Sequence, residues 1–132
     1  MSKAQRESAK RDFESLLDQV ENVSGVSVLA AQVNATNIDM LRDMSDWFRS
    51  KVGSGVIVLG AVFDGKPNLL AAVTPDLVER GLDAGKIVRS AAQIIGGGGG
   101  GKPTLAQAGG KDASRLGEAL ASVKSNVADS VR

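Results

Sequence analysis

The sequence predicts an α/β protein of the α+β kind: a small mixed β-sheet covered by helices. An N-terminal helix that reads as the end of a longer helical segment precedes it. Segments of strand length, rich in Val, Leu and Ala, alternate with segments whose apolar residues recur every three or four places. An Asp-Gly pair between two apolar runs marks a hairpin mid-chain, which an all-parallel sheet would not contain. A length of 132 residues, 42% of them apolar, is ordinary for one folded domain with a core of its own.

In order along the chain, Phe13, Leu16, Leu17, Val20 and Val23 line one side of a helix running from about Ser2 to Asn22. Its first dozen residues are charged, with Lys3, Arg6, Lys10 and Arg11 interleaved with acids as on a solvated face. The division expected is a helical segment over 1–23 and a globular domain over 24–132. Val26–Val33 is β-rich and of strand length. Thr36 and Asp39 have the spacing of a capping box, opening a helix that carries Ile38, Leu41, Phe48 and Val52 and stops at Gly53. Val56–Phe63 and Asn68–Val73 flank Asp64-Gly65 as a hairpin. Thr74-Pro75-Asp76 supplies a cap, a first-turn proline and an early acid. Asp83–Ile95 is helical, Leu105–Ala108 is a short strand, and Asp112 caps a last helix striped by Leu116, Leu120, Val123 and Val127.

Composition removes whole classes of chemistry. There is no cysteine and no histidine, so disulfides, thiolate metal sites and the commonest general base are absent. No spacing suggests a catalytic set, and no metal or cofactor is expected in this domain. Net charge is +1, so any affinity for a polyanion must come from local clustering of basic residues. Aromatic residues make up 3% of the chain. Of these, Trp47 and Phe48 sit at core spacing on a helix, although Trp47, nearer the edge, could also stack on a base. No run approaches the ~20 apolar residues of a membrane span, and the sequence has no signal core. The location expected is cytoplasmic, with no membrane partner.

Gly96–Lys111 holds six consecutive glycines followed by Lys-Pro. As a flexible linker it would lack the usual serine filler and would separate two elements that need a common core. As a nucleotide-binding phosphate loop it fails at Pro103, where a magnesium-binding hydroxyl is required. The third reading is a backbone-lined anion site, because glycine leaves backbone N–H groups bare to a phosphate. Lys102 and Lys111 bracket the run, and Lys86 and Arg89 project from the preceding helix. Gln107 either contacts the ligand or closes the loop on its own backbone.

Gly96–Gly101, Lys102-Pro103, Leu105-Ala106-Gln107-Ala108 and Gly109-Gly110 resemble the glycine-rich signature of the C-terminal domain of alanyl-tRNA synthetases. The same signature marks the DHH-associated domain of some phosphoesterases. The similarity runs from about Ser24 to the end, and departs at Gly98, often basic in the family. The resemblance implies a non-catalytic domain of an ATP-dependent ligase that grips the elbow of alanine-specific tRNA. It would help present the acceptor end to aminoacylation and editing domains carried elsewhere in the synthetase. The nucleic-acid-binding residues expected are Lys86, Arg89, Gly97, Gly99, Gly100, Gly101, Lys102, Gln107, Gly109, Gly110 and Lys111. Two rivals remain: an oligomerisation domain, dimerising through the N-terminal helix, and the nucleic-acid-binding half of a DHH-type phosphoesterase.

Overall fold

A computed structural model describes residues 20–23, 25–33, 38–63 and 65–130. The chain runs β1 (Glu21–Val23), β2 (Val26–Gln32), α1 (Ile38–Val52), β3 (Val56–Phe63), β4 (Lys66–Val73), α2 (Pro75–Val78), α3 (Ala84–Ile94), β5 (Gly98–Gly101) and β6 (Leu105–Gly109). A 3₁₀ turn, Ala113–Arg115, then leads into α4 (Leu116–Ser130). The strands form one mixed sheet of order β1-β2-β3-β4-β6-β5. Only β2 and β3 are parallel, and α1 is the crossover that a parallel pair requires.

Both faces of the sheet are covered, so Val56–Ala61 of β3 and Leu69–Val73 of β4 are continuously apolar or glycine. Val28, Val56, Val58, Leu69, Ala71 and Val73 lie in one core with Val88, Ala91, Leu116 and Val123 of α3 and α4. Leu29, Ile57, Leu59, Leu70 and Ala72 alternate with them and lie in a second core with Leu41, Met44 and Phe48 of α1. A Cβ on Gly60 would lie 3.0 Å from Leu116 Cδ1, so glycine there lets α4 sit close on β3. Trp47 is half-buried against the second core, whereas Phe48 is fully buried.

The end of the expected N-terminal helix is a correction. Residues 1–19 lie outside the described residues, and Glu21–Val23 form a strand paired antiparallel with β2. Val20 packs on the second core and Val23 on the first. Three residues apart is one face of a helix but opposite faces of a strand, and pairing with β2 overrides the helical pattern. Thr74 is also placed differently. It holds the N-cap position of α2 without a side-chain cap, and its buried Oγ1 accepts from the Gly55 N–H at 3.1 Å. Four of the six glycines, Gly98–Gly101, form a strand of the sheet rather than a linker or a loop. Thr36, half of the expected capping box, lies outside the described residues.

Candidate nucleic-acid interface

Helix α3 sets the position of the glycines. Its N-cap, Asp83, accepts from Gly85 N–H at 2.8 Å and Lys86 N–H at 3.2 Å. At its far end Gly97 N–H reaches the Ala92 carbonyl at 2.9 Å and Gly96 N–H the Gln93 carbonyl at 3.3 Å, with Gly96 at φ +72°. That bonding pattern ends a helix with a left-handed residue, a role glycine fills without a Cβ penalty. The chain then doubles back alongside α3 as β5.

β5 and β6 form a tight hairpin. Lys102 and Leu105 exchange both backbone hydrogen bonds, at 2.9 and 3.2 Å, around Pro103-Thr104. Bonded and non-bonded pairs alternate along an antiparallel ladder. Gly100↔Gln107 and Gly98↔Gly109 are therefore the bonded pairs, while Gly99↔Ala108 and Gly101↔Ala106 are not. Since β5 is the outermost strand, Gly99 and Gly101 turn their N–H and C=O groups toward the free edge of the sheet.

The glycines are not equivalent. A Cβ on Gly97 would overlap the Gly109 carbonyl oxygen, and one on Gly99 would lie 2.5 Å from Ala108 Cβ. One on Gly101 would meet the Leu105 carbonyl oxygen at 2.7 Å. Gly98 and Gly100 are open: nothing lies within 4 Å of the first, and the second meets only Arg89 Nε at 3.9 Å. The odd-numbered glycines thus let two backbones close together, and the even-numbered ones leave the outer surface of β5 bare.

Arg89 lies over this strand. Its Nε donates to the Gly85 carbonyl at 3.2 Å, which fixes the guanidinium beside Gly100. Lys102 is exposed at the hairpin turn. The remaining expected residues are dispersed. Lys86 borders a hollow of about 50 Å³ with Asp83, Ser90 and Asn126. Gln107 alternates with the buried Ala106 and Ala108 and so faces the α1 side, where Arg42 Nη2 approaches its Oε1 at 3.5 Å. Gly109, Gly110 and Lys111 lie at the other end of the hairpin. With Lys66, Pro67, Asn68, Gly96 and Gly97 they line a groove of about 520 Å³.

Proximity in sequence does not bring Lys66, Asn68 and Arg42 to the hairpin; the fold does. Nothing local to them signals a site, because their neighbours come from the long-range pairing of β4 with β6 and from the seating of α1. The nucleotide-loop reading fails on geometry too: an anion loop of that kind opens a helix, whereas this run follows one. Among the described residues no cluster of acids could hold a metal ion, and no helix is long and apolar enough to cross a membrane.

The chain is thus a mixed sheet clasped between helices, with an all-glycine edge strand bordered by cations. Residues 25–129 match the model of the DHHA1 domain, and the chain belongs to that family. Within it, the chain is similar to part of alanine–tRNA ligases. It is 56% identical over 112 residues to that of Pelotomaculum thermopropionicum, covering 85% of this chain and 13% of the ligase. To the Bacillus subtilis enzyme it is 57% identical over 109 residues, covering 83% of the chain and 12% of the ligase. The chain therefore spans about an eighth of these relatives. Among solved structures, the C-Ala domain of Aquifex aeolicus alanyl-tRNA synthetase superposes with a TM-score of 0.74 at 24% identity, covering 83% of this chain and 97% of that one. RecJ from Thermus thermophilus shares the fold with a TM-score of 0.65 at 17% identity, covering 98% of this chain and 19% of that one.

Proposed function

We propose that this chain is a tRNA-binding module of an alanine–tRNA ligase and that it performs no catalysis itself. In this reading it holds the outer corner of the L-shaped tRNA, where the D- and T-loops meet. Aminoacylation and editing would belong to other domains of the ligase, in the cytoplasm. Holding the tRNA body raises the effective concentration of the acceptor end at those domains, so modest affinity suffices.

The observation that carries the reading is the bare edge of β5, bordered by Arg89 and Lys102 on a chain of net charge +1. Outward N–H groups of Gly99 and Gly101 suit phosphate oxygens, and the two cations supply the salt-dependent attraction. Such contacts position a polynucleotide backbone without reading its sequence. The similarity to alanine–tRNA ligases favours tRNA over other polyanions.

Fluorescence anisotropy with whole tRNA and with an acceptor-stem duplex lacking the elbow tests this. Whole tRNA should bind more tightly. Arg89→Ala and Lys102→Ala should each lower the log–log salt slope by about 0.7–0.9. Equal affinity for both RNAs removes the elbow reading, and no binding to either removes the RNA reading.

A further inference from the structure

The groove at the open end of the glycine hairpin has a chemistry distinct from that of the β5 edge. Its walls are Lys66, Pro67 and Asn68 from the start of β4, Gly96 and Gly97 after α3, and Gly109 to Lys111 after β6. At about 520 Å³ it is roomy enough for a small ligand. No carboxylate lines it, and neither Lys66 nor Lys111 is in an ion pair among the described residues. The nearby Asp112 is engaged at the 3₁₀ turn, accepting from Ser114 N–H at 3.1 Å and Ser114 Oγ at 2.5 Å.

Four backbone N–H groups around the groove are already bonded. Gly96 and Gly97 N–H groups end α3, Gly110 N–H bonds the Pro67 carbonyl at 3.1 Å, and Lys111 N–H bonds the Ile95 carbonyl at 2.8 Å. A ligand here meets side chains. Two ammonium groups call for negative charge. Asn68 adds the opposite polarity: its Nδ2 donates to the Lys66 carbonyl at 3.1 Å, which fixes the amide with Oδ1 free to accept. That oxygen lies 3.3 Å from where a Cβ on Gly109 would be, so it sits over the bare backbone of β6. A lone phosphate has no use for an acceptor. A hydroxyl next to a phosphate does.

We infer that this groove is a ribose-phosphate subsite, in which Lys66 and Lys111 hold a phosphodiester and Asn68 Oδ1 accepts a ribose hydroxyl. The inference rests on the RNA-binding reading above and deepens it, adding two residues of β4 to the interface. A 2′-hydroxyl is what separates RNA from DNA at a given contact, so Asn68 gives this module a preference for RNA.

The test uses the 132-residue chain with Lys66→Ala, Lys111→Ala and Asn68→Ala, each first matched to the parent in thermal unfolding. Anisotropy is measured against tRNA over a salt series, and against a single-stranded RNA and the DNA of the same sequence. Each lysine variant should lower the salt slope by about 0.7–0.9. Asn68→Ala should leave the slope unchanged and reduce the preference for RNA over DNA. If these three variants bind as the parent does while Arg89→Ala and Lys102→Ala weaken binding, the subsite is wrong and the proposed function stands. If the unaltered chain binds no RNA, titration with inorganic phosphate followed by amide NMR decides. Shifts at Gly96, Gly97 and Lys111 that vanish in a Lys66→Ala, Lys111→Ala double variant support the groove, and no shifts overturn it.

Discussion

The two hairpins of this domain are built in opposite ways. β3 and β4 pair over eight residues, from Val56↔Val73 to Phe63↔Lys66, with Ile57, Leu59, Leu69 and Leu70 fully buried. Side chains on both faces hold that hairpin in place. β5 and β6 pair over four residues, one strand of which has no side chains at all. It is held by its closing turn, by α3 alongside, and by the closeness that missing Cβ atoms allow. The first arrangement stabilises the fold, and only the first residues of β4 border a groove. The second contributes little burial and leaves peptide groups open at an edge, which a sheet ordinarily guards with charge or proline.

The largest effect expected from this contrast lies in the first hairpin. Leu70→Ala, or Leu59→Ala on the strand beside it, empties space in the core under α1. Each should cost on the order of 2–5 kcal/mol in denaturant unfolding. A cost near zero would mean that the α1 face carries little of the stability. Next is Gly99→Val, whose Cβ would lie 2.5 Å from Ala108 Cβ. Forcing a side chain into packed space costs about 1–3 kcal/mol. Hydrogen exchange should show Gly98–Gly101 opening while β3 and β4 stay protected. Uniform loss of protection would show that the two hairpins are not separable.

Legibility in the sequence followed the same division. The β3–β4 hairpin could be read from Asp64-Gly65 between apolar runs, because burial on both faces leaves continuous apolar sequence. α1 and α3 were legible from their stripes. Composition marked the glycine run as special but could not reveal a strand, since glycine has no β propensity and pairs here only because β6 is already in the sheet. Proximity in sequence was enough to bring Arg89 and Lys102 to the glycines. It was not enough for Lys66 and Asn68, because register between distant strands brings them to Gly109. Gln107 was assigned to the interface by its neighbours in sequence, yet the alternation of β6 turns it toward Arg42.

A smaller effect concerns the anchored end of the first hairpin. The Ser54 hydroxyl donates to Asp76 Oδ2 at 2.5 Å, and that bond, followed by one from Thr74, holds the Asp76 carboxyl below its ordinary value. A carboxyl with a lowered folded pKa adds stability that is present above its unfolded value, near pH 4, and is lost as pH falls through the lowered value. Asp76→Asn should therefore lower Tm slightly at pH 7 and narrow the gap to the parent as pH falls below about 4. Because Asp76 is exposed, the shift should be small. A gap that is constant with pH would assign its role to shape rather than charge.

The smallest effect on stability should come from Gly98→Lys, and it bears most directly on what the glycine hairpin is for. Gly98 belongs to the same strand as Gly99, yet nothing stands within 4 Å of a Cβ placed there. Its φ lies outside the left-handed region, so a side chain adds no backbone strain. Lysine at this position should shift Tm by only about 1–3 °C, since surface changes away from packing usually stay within ±0.5 kcal/mol. Its ammonium would stand on the bare face of β5, between the cations at the turn and those of the groove. If an RNA backbone follows that face, the variant gains one phosphate contact and its salt slope steepens by about 0.7–0.9. An unchanged slope in a variant of unchanged stability would mean that RNA does not run along β5. The interface would then have to be sought on the α1 side, where Gln107 and Arg42 meet.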